Sequence, residues 1–222
     1  MSAAPVYMAC IDLKDRPCLV VGAGAVGLEK IAGLLECGAK VTVVAPDAVP
    51  EVVRLHDDGA IRWLRRPYRQ GDLDRRFLAI AATADGSVNR RVFQDAEERS
   101  MLVNVVDVPE LCSFILPAVV RQGPIAVAVS TSGASPVLAQ RLRDQVRVWL
   151  GPEHARLAEV LRELRVWAKE NLATYDLRKA FFESIVHGRP DPLELIRRGD
   201  ETALRSQIAD AQRRAVRREP AR

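Results

Sequence analysis

The stretch from Cys18 to Asp47 leaves the chain the least freedom. It opens on the apolar run Cys18-Leu-Val-Val and passes at once into Gly22-Ala-Gly24-Ala-Val-Gly27. A helical segment then runs to Gly38, and a second β-branched run ends in Ala45-Pro46-Asp47. Strand, G-x-G-x-x-G, helix and strand together form the β-α-β unit that binds a dinucleotide. Gly22 permits the tight turn, Gly24 lets a pyrophosphate approach the backbone, and Gly27 lets the helix pack close to the sheet. The helix start offers N–H groups and a positive dipole end to phosphates. Asp47 lies near the place of the acidic residue that holds ribose hydroxyls. No Arg or Lys follows it immediately to take a 2′-phosphate, which favours NAD over NADP. The competing reading is a strand-to-helix turn that needs glycine for its own sake.

The rest of the composition narrows the class. The chain has 222 residues, 48% hydrophobic and 28% charged, which fits a soluble globular protein of one good domain plus a smaller part. No apolar run reaches the roughly 20 residues of a membrane span. Met1–Tyr7 has no basic n-region, so no secretory signal is expected and the cytoplasm is the expected location. Cys10, Cys18, Cys37 and Cys112 form no C-x-x-C pair and each sits in or beside an apolar segment, so buried reduced thiols are expected. Only His56, His154 and His187 are available, none near a cysteine, so no metal site is expected. The net charge of +4 is concentrated in the last third. There the basic residues alternate with acidic ones at helical spacing and lack aromatic partners, which argues against nucleic acid.

Taken in order, residues 5–13 read as a short edge strand, 18–21 as the first strand of the nucleotide unit and Val26–Cys37 as its helix. Val26, Ile31, Leu34 and Leu35 are expected to face the sheet, and Gly38 to end the helix. Strands are expected at 40–45, 60–64, 77–83 and 101–106, with helices at 49–57 and 87–99 between them. The continuous apolar run Phe77–Thr83 suits a strand buried on both faces, and it puts Thr83 at the carboxyl edge, where ligands bind. Strands alternating with helices imply a Rossmann-like, doubly wound parallel sheet in the α/β class. The pattern then changes. Ser113–Val120 and Ile125–Ser130 read as an antiparallel pair, and Ser135-Pro136 opens a helix to about Leu150. Beyond Gly151-Pro152 the chain reads as helices, with 218–222 expected to be disordered. The division is 1–112 for a nucleotide-binding domain, 113–150 for a small β-containing region and 151–222 for a helical region.

Two places can carry chemistry. Asp107, in Asn104-Val-Val-Asp107-Val-Pro109, lies just past the fifth strand, where a carboxylate beside the nicotinamide could act as general acid or base. An aspartate that simply caps a turn before proline is an equal alternative. The hydroxyl-rich loop Ser130-Thr-Ser132-Gly133-Ala-Ser135-Pro136 could hold substrate carboxylates through its N–H groups, though plain helix capping accounts for it as well. No G-x-S-x-G elbow or Ser-His-Asp order points to a hydrolase.

Several stretches together resemble one family, precorrin-2 dehydrogenase, also found as the N-terminal part of sirohaem synthases. They are Cys18–Gly24 with Val41–Pro46, Leu78–Thr83, Asn104–Asp107, Ser113–Pro117 and Ser130–Ala139, in the family's order over about residues 5–150. The resemblance implies oxidation of precorrin-2 to sirohydrochlorin with NAD⁺ as hydride acceptor, and in some members Fe²⁺ insertion to give sirohaem. It implies that Asp107 is the catalytic acid/base and that Gly22, Gly24, Ala25 and Val26 form the cofactor loop, which Gly27 of the glycine motif completes. Pro46 and Asp47 match the adenosine side. It also implies an intertwined homodimer. The substrate's many carboxylates call for N–H groups and cations, which the loop Ser130, Ser132, Gly133 and Ser135 with Arg141 and Arg143 could supply. Ala23 stands where the family often has Gly, Gly27 where it often has Ala, and Glu29 where it often has Arg. The resemblance stops short of the methyltransferase domain of the fused members. Against this enzyme stands one alternative, an NAD(H)-sensing dimeric regulatory module without catalysis. A sensor has no need of an acid/base beside the nicotinamide.

Overall fold

Strand positions follow from burial on both faces. β1 (Pro17–Val21) alternates Cys18 and Val20 toward one side with Leu19 and Val21 toward the other, and all four are buried. Such a strand belongs at the centre of a sheet, and the structure puts it there. The computed structural model describes residues 6–217. β2 (Lys40–Val44), β3 (Arg62–Leu64), β4 (Leu78–Ala81) and β5 (Leu102–Val105) complete a parallel sheet of order β3-β2-β1-β4-β5. The Rossmann-like expectation holds.

Helices α1 (Ala25–Glu36) and α2 (Pro50–Asp57) contribute Ile31, Leu34 and Val52 to a core with Cys18, Val20, Val41, Val43 and Ile80. On the other face α3 (Gly86–Glu97) packs Val92 and Ala96 against Leu19, Val21, Ala79, Ala81 and Val103. Polar ties hold the long loop after β3. Arg66 donates to both carboxylate oxygens of buried Asp72, at 2.8 and 2.5 Å, and Arg76 donates to Thr42 Oγ1 at 3.0 Å. The Tyr68 hydroxyl donates to Asp95 at 2.9 Å.

The chain divides into two compact units, Met1–Leu116 and Pro117–Arg222. The second begins with an antiparallel hairpin, β6 (Ala118–Gln122) and β7 (Ile125–Val129). It continues through α4 (Pro136–Trp149), α5 (Pro152–Asn171), α6 (Tyr175–Val186), α7 (Pro192–Arg197) and α8 (Glu201–Arg217). Ala168, Leu172, Phe181, Ile185, Ala211 and Ala215 form its helical core.

Four expectations need correction. Residues 6–13 form no strand. Tyr7, Met8 and Ile11 are exposed, only Leu13 is buried, and no strand of the sheet pairs with them. Residues 113–117 also lie outside a strand, because Ser113 bonds back to Val103 and Pro117 lacks an N–H; β6 starts at Ala118 and leaves only Gly123-Pro124 as the turn. Val26 does not face the sheet but stays exposed at the first turn of α1. Cys10 is exposed, not buried. The expectation for 218–222, like residue 5 of the first segment, falls outside the described residues.

Candidate cofactor and acid–base site

The glycine turn is built by three different constraints. Gly22 has φ +107°, and a Cβ there would lie 2.4 Å from the Ala82 carbonyl oxygen, so both conformation and space demand glycine. A Cβ on Gly27 would lie 2.4 Å from the Gly22 carbonyl oxygen, so any side chain there would push this turn outward. Gly24 is different. Its φ of −80° and ψ of −171° suit any residue, and a Cβ would meet no atom within 4 Å. Nothing inside the protein asks for glycine at that position. Its exposed backbone forms the start of α1, where no side chain caps the first turn and the first intrahelical bond runs from Leu28 N–H to Gly24 O at 2.9 Å. Ala25 and Val26, beside it, are exposed.

The carboxyl edge of the sheet carries the other candidates in a row. Gly22 N–H donates to Val44 O at 2.9 Å, Ala82 N–H to Val21 O at 2.8 Å and Val106 N–H to Ala81 O at 3.0 Å. These bonds continue the ladder one step past the strands. Pro46 and Asp47 therefore follow β2, the glycine turn follows β1, Thr83 follows β4 and Asp107 follows β5. Asp107 stands about 10 Å along the edge from the glycine turn, two strand spacings away. The order of strands reverses between β1 and β4, the switch point at which open α/β sheets bind ligands. Val49 N–H donates to Ala23 O at 3.0 Å and ties the glycine turn to the segment after Asp47.

Asp107 is exposed, with φ +61°. Thr83 is half-buried and already engaged, its Oγ1 donating to Asn89 Oδ1 at 2.8 Å while Asn89 Nδ2 donates to Thr83 O at 3.0 Å. Sequence reasoning missed Asn89, and nothing local marks it, because it lies six residues on, in the first turn of α3. The start of α3 is closed by Asp85, whose carboxylate accepts from Ser87 and Val88 N–H and from the Ser87 hydroxyl; these donors hold its carboxyl below the usual range.

The second unit gathers the remaining candidates. Ser135 Oγ accepts from Leu138 N–H at 3.1 Å, Thr131 Oγ1 accepts from Ser135 N–H at 3.1 Å, and Ser130 Oγ accepts from Ser132 N–H at 3.1 Å. The tip, Ser132 and Gly133, has positive φ and is exposed, as is Arg141 on α4. Among the described residues no group of three or more His, Cys, Asp or Glu is placed to hold a metal ion, and no helix is long and apolar enough to cross a membrane.

Comparison with known proteins agrees with this geometry. An NAD(P)-binding family model matches residues 9–118, a sirohaem biosynthesis protein central model residues 122–147 and a sirohaem synthase dimerisation region model residues 153–212. The chain belongs to the precorrin-2 dehydrogenase and sirohaem synthase N-terminal family. A siroheme synthase of Thioalkalivibrio sulfidiphilus is 42% identical over 211 residues, which are 95% of this chain and 42% of that protein. Siroheme synthase 1 of Cronobacter sakazakii is 48% identical over 178 residues, 80% of this chain and 38% of that protein. The chain thus spans well under two thirds of the curated relatives it matches. A solved structure titled SirC, precorrin-2 dehydrogenase, superposes with a TM-score of 0.77 at 26% identity, covering 94% of this chain and 100% of that one. NAD is the cofactor of this family's first domain, and the residues fit it. The open helix start at Gly24 suits a pyrophosphate, and the row from Asp47 to Asp107 has the length and order for the two ends of a dinucleotide.

Proposed function

We propose that this chain oxidises precorrin-2 to sirohydrochlorin with NAD⁺ in sirohaem synthesis. The observation that carries the reading is the row along the sheet edge, with an uncapped helix start in the middle and an exposed carboxylate at each end, Asp47 on the adenosine side and Asp107 on the other. Gly22, Gly24, Ala25, Val26 and Gly27 hold the pyrophosphate through backbone N–H groups, while Pro46 and Asp47 flank the adenosine. Thr83, locked by Asn89, shapes the middle of the edge. When bound, NAD⁺ accepts a hydride. The substrate must also lose a proton, and the Asp107 carboxylate accepts it and passes it to water. One base suffices, so the balance is precorrin-2 plus NAD⁺ giving sirohydrochlorin, NADH and H⁺.

Residues 1–112 bind the cofactor in this reading, 113–150 serve dimerisation, and 151–222, on which the dimerisation-region model falls, extend that interface and help to hold the substrate. Ser130, Ser132, Gly133, Ser135 and Arg141 offer donors to substrate carboxylates. The protein works as a homodimer. Support comes from the dimerisation-region match and from Val137, Leu138, Leu142 and Trp149 on α4, all exposed in the single chain. Fe²⁺ enters as a second substrate of the same Asp107. The cytoplasm, which keeps free thiols reduced, is the proposed location. None of the relatives described carries a name that supports a purely regulatory module.

The test is anaerobic incubation of the protein with precorrin-2 and NAD⁺, followed by absorbance, then addition of Fe²⁺. NADH and sirohydrochlorin should appear together, and Asp107→Asn should cut turnover about 100- to 1,000-fold with NAD⁺ affinity unchanged. NAD⁺ binding without NADH formation by the unaltered protein removes the enzymatic reading. No acceleration on adding Fe²⁺ removes the chelatase part alone.

A further inference from the structure

The residues of interest are those that hold Asp107 rather than Asp107 itself. A φ of +61° lies in the left-handed region, disfavoured for residues with a Cβ though tolerated best by Asp and Asn. Such a conformation persists when its surroundings over-determine it. Here the surroundings come from a segment that doubles back along β5. Cys112 Sγ lies 3.3 Å from Val105 N, 3.2 Å from Val105 O and 3.3 Å from Val108 O. One thiol therefore spans both ends of the turn that contains Asp107. Val108 N–H donates to Val105 O at 3.2 Å and closes that turn. Asn104, buried on β5, donates through Nδ2 to Phe114 O at 3.0 Å and lies 3.5 Å from Cys112 Sγ. Ser113 completes the clasp, its N–H donating to Val103 O at 2.9 Å and its Oγ accepting from Val103 N–H at 2.8 Å. Burial pushes the Cys112 thiol up, so it keeps its proton at neutral pH and remains a donor.

We propose that Asn104 and Cys112 are positioning residues for the proton transfer, fixing the left-handed turn at residues 105–108 and with it the direction of the Asp107 carboxylate. This rests on the reading of Asp107 as the proton acceptor. A clasp that merely stitches a loop to the sheet would change stability and leave chemistry alone. A positioning clasp changes turnover, and only through Asp107.

The experiment is a double-mutant cycle on the full chain, measuring kcat, KM for NAD⁺ and thermal unfolding. Cys112→Ala, Cys112→Ser and Asn104→Ala are each made alone and in the Asp107→Asn background. Cys112→Ala should lower kcat about 20-fold with KM for NAD⁺ within about twofold, as expected for a sub-ångström misplacement of a reacting group. Cys112→Ser, which keeps a donor and acceptor of shorter reach, should lose about fivefold. Asn104→Ala should fall between the two. In the Asp107→Asn background each loss should shrink below about twofold, because no carboxylate remains to be misplaced. Equal losses in both backgrounds, or a KM effect as large as the kcat effect, overturn the proposal. Should Cys112→Ala fail to fold, Cys112→Ser carries the same cycle. Full turnover by Asp107→Asn alone is a separate result, which removes the reading of Asp107 and with it this inference.

Discussion

Two helices of this molecule begin in opposite ways. α4 starts at Ser135, whose hydroxyl accepts from Leu138 N–H, and the loop before it spends Ser130 and Thr131 on its own backbone. α1 starts at Gly24 with no side chain to receive its first N–H groups. α3 and α6 follow α4, being capped by Asp85 and Thr174. A missing side-chain cap is not by itself the mark of a ligand site, because α2 and α5 also begin without one; α1 differs in opening directly after the glycine turn, at the switch point of the sheet. Chemical richness in the sequence is therefore a poor guide. The hydroxyl-laden loop spends the backbone N–H groups of Ser132 and Ser135 on its own hydroxyls, whereas the loop of glycines and alanines leaves its helix start open.

That contrast can be broken most forcefully at Gly22. Gly22→Ala combines a forbidden φ with a backbone clash and should cost about 3 kcal/mol in urea unfolding. A cost below about 1 kcal/mol would mean that the turn is softer than its geometry implies. Gly24→Glu sharpens the comparison. Its conformation and open surroundings should keep stability within about 0.5 kcal/mol. The added carboxylate over the helix start should weaken NAD⁺ binding about 100-fold, or about 2.7 kcal/mol, by calorimetry. Ser135→Ala is the mirror experiment, with about 1 kcal/mol lost in unfolding and no change in NAD⁺ affinity. A drop in affinity there would erase the distinction between the two starts.

The smallest effect concerns pH. Asp85 has its folded pKa depressed by the Ser87 hydroxyl and by the N–H groups of Ser87 and Val88. Its contribution is complete above the unfolded value, about 4, and is lost as pH falls through the folded value. Asp85→Asn should flatten the acid side of the urea-midpoint profile below about pH 4. α1, which has no capping carboxylate, adds no such slope.

Much of this was legible because its causes are local. The spacing of Gly22, Gly24 and Gly27 between two β-branched runs places the turn, and the apolar runs at Cys18–Val21 and Leu78–Ala81 mark the central strands. What escaped was set by distant partners. Residues 113–117 have strand-like composition, yet Ser113 is drawn back to Val103 and Asn104 reaches Phe114, bonds that no local pattern announces. Asn89 became visible only with Thr83 beside it. Val26 sits on an apolar stripe by periodicity, but it falls in the first turn of α1, where its side chain stays exposed. The bond from Tyr68 to Asp95 likewise crosses segments whose sequences say nothing of each other.

The bare start of α1 has a consequence for the protein's lifetime. Donors left to water in the free protein gain an anionic partner only when ligand is present, and ligand that binds the folded chain alone adds RT ln(1 + [L]/Kd) to its stability. At 100 times Kd this is about 2.7 kcal/mol. Resistance to heat and to proteases is then not a fixed property of the chain. On the proposed reading it rises and falls with the level of nicotinamide dinucleotide around it, oxidised or reduced, because both forms carry the pyrophosphate that the start of α1 would receive.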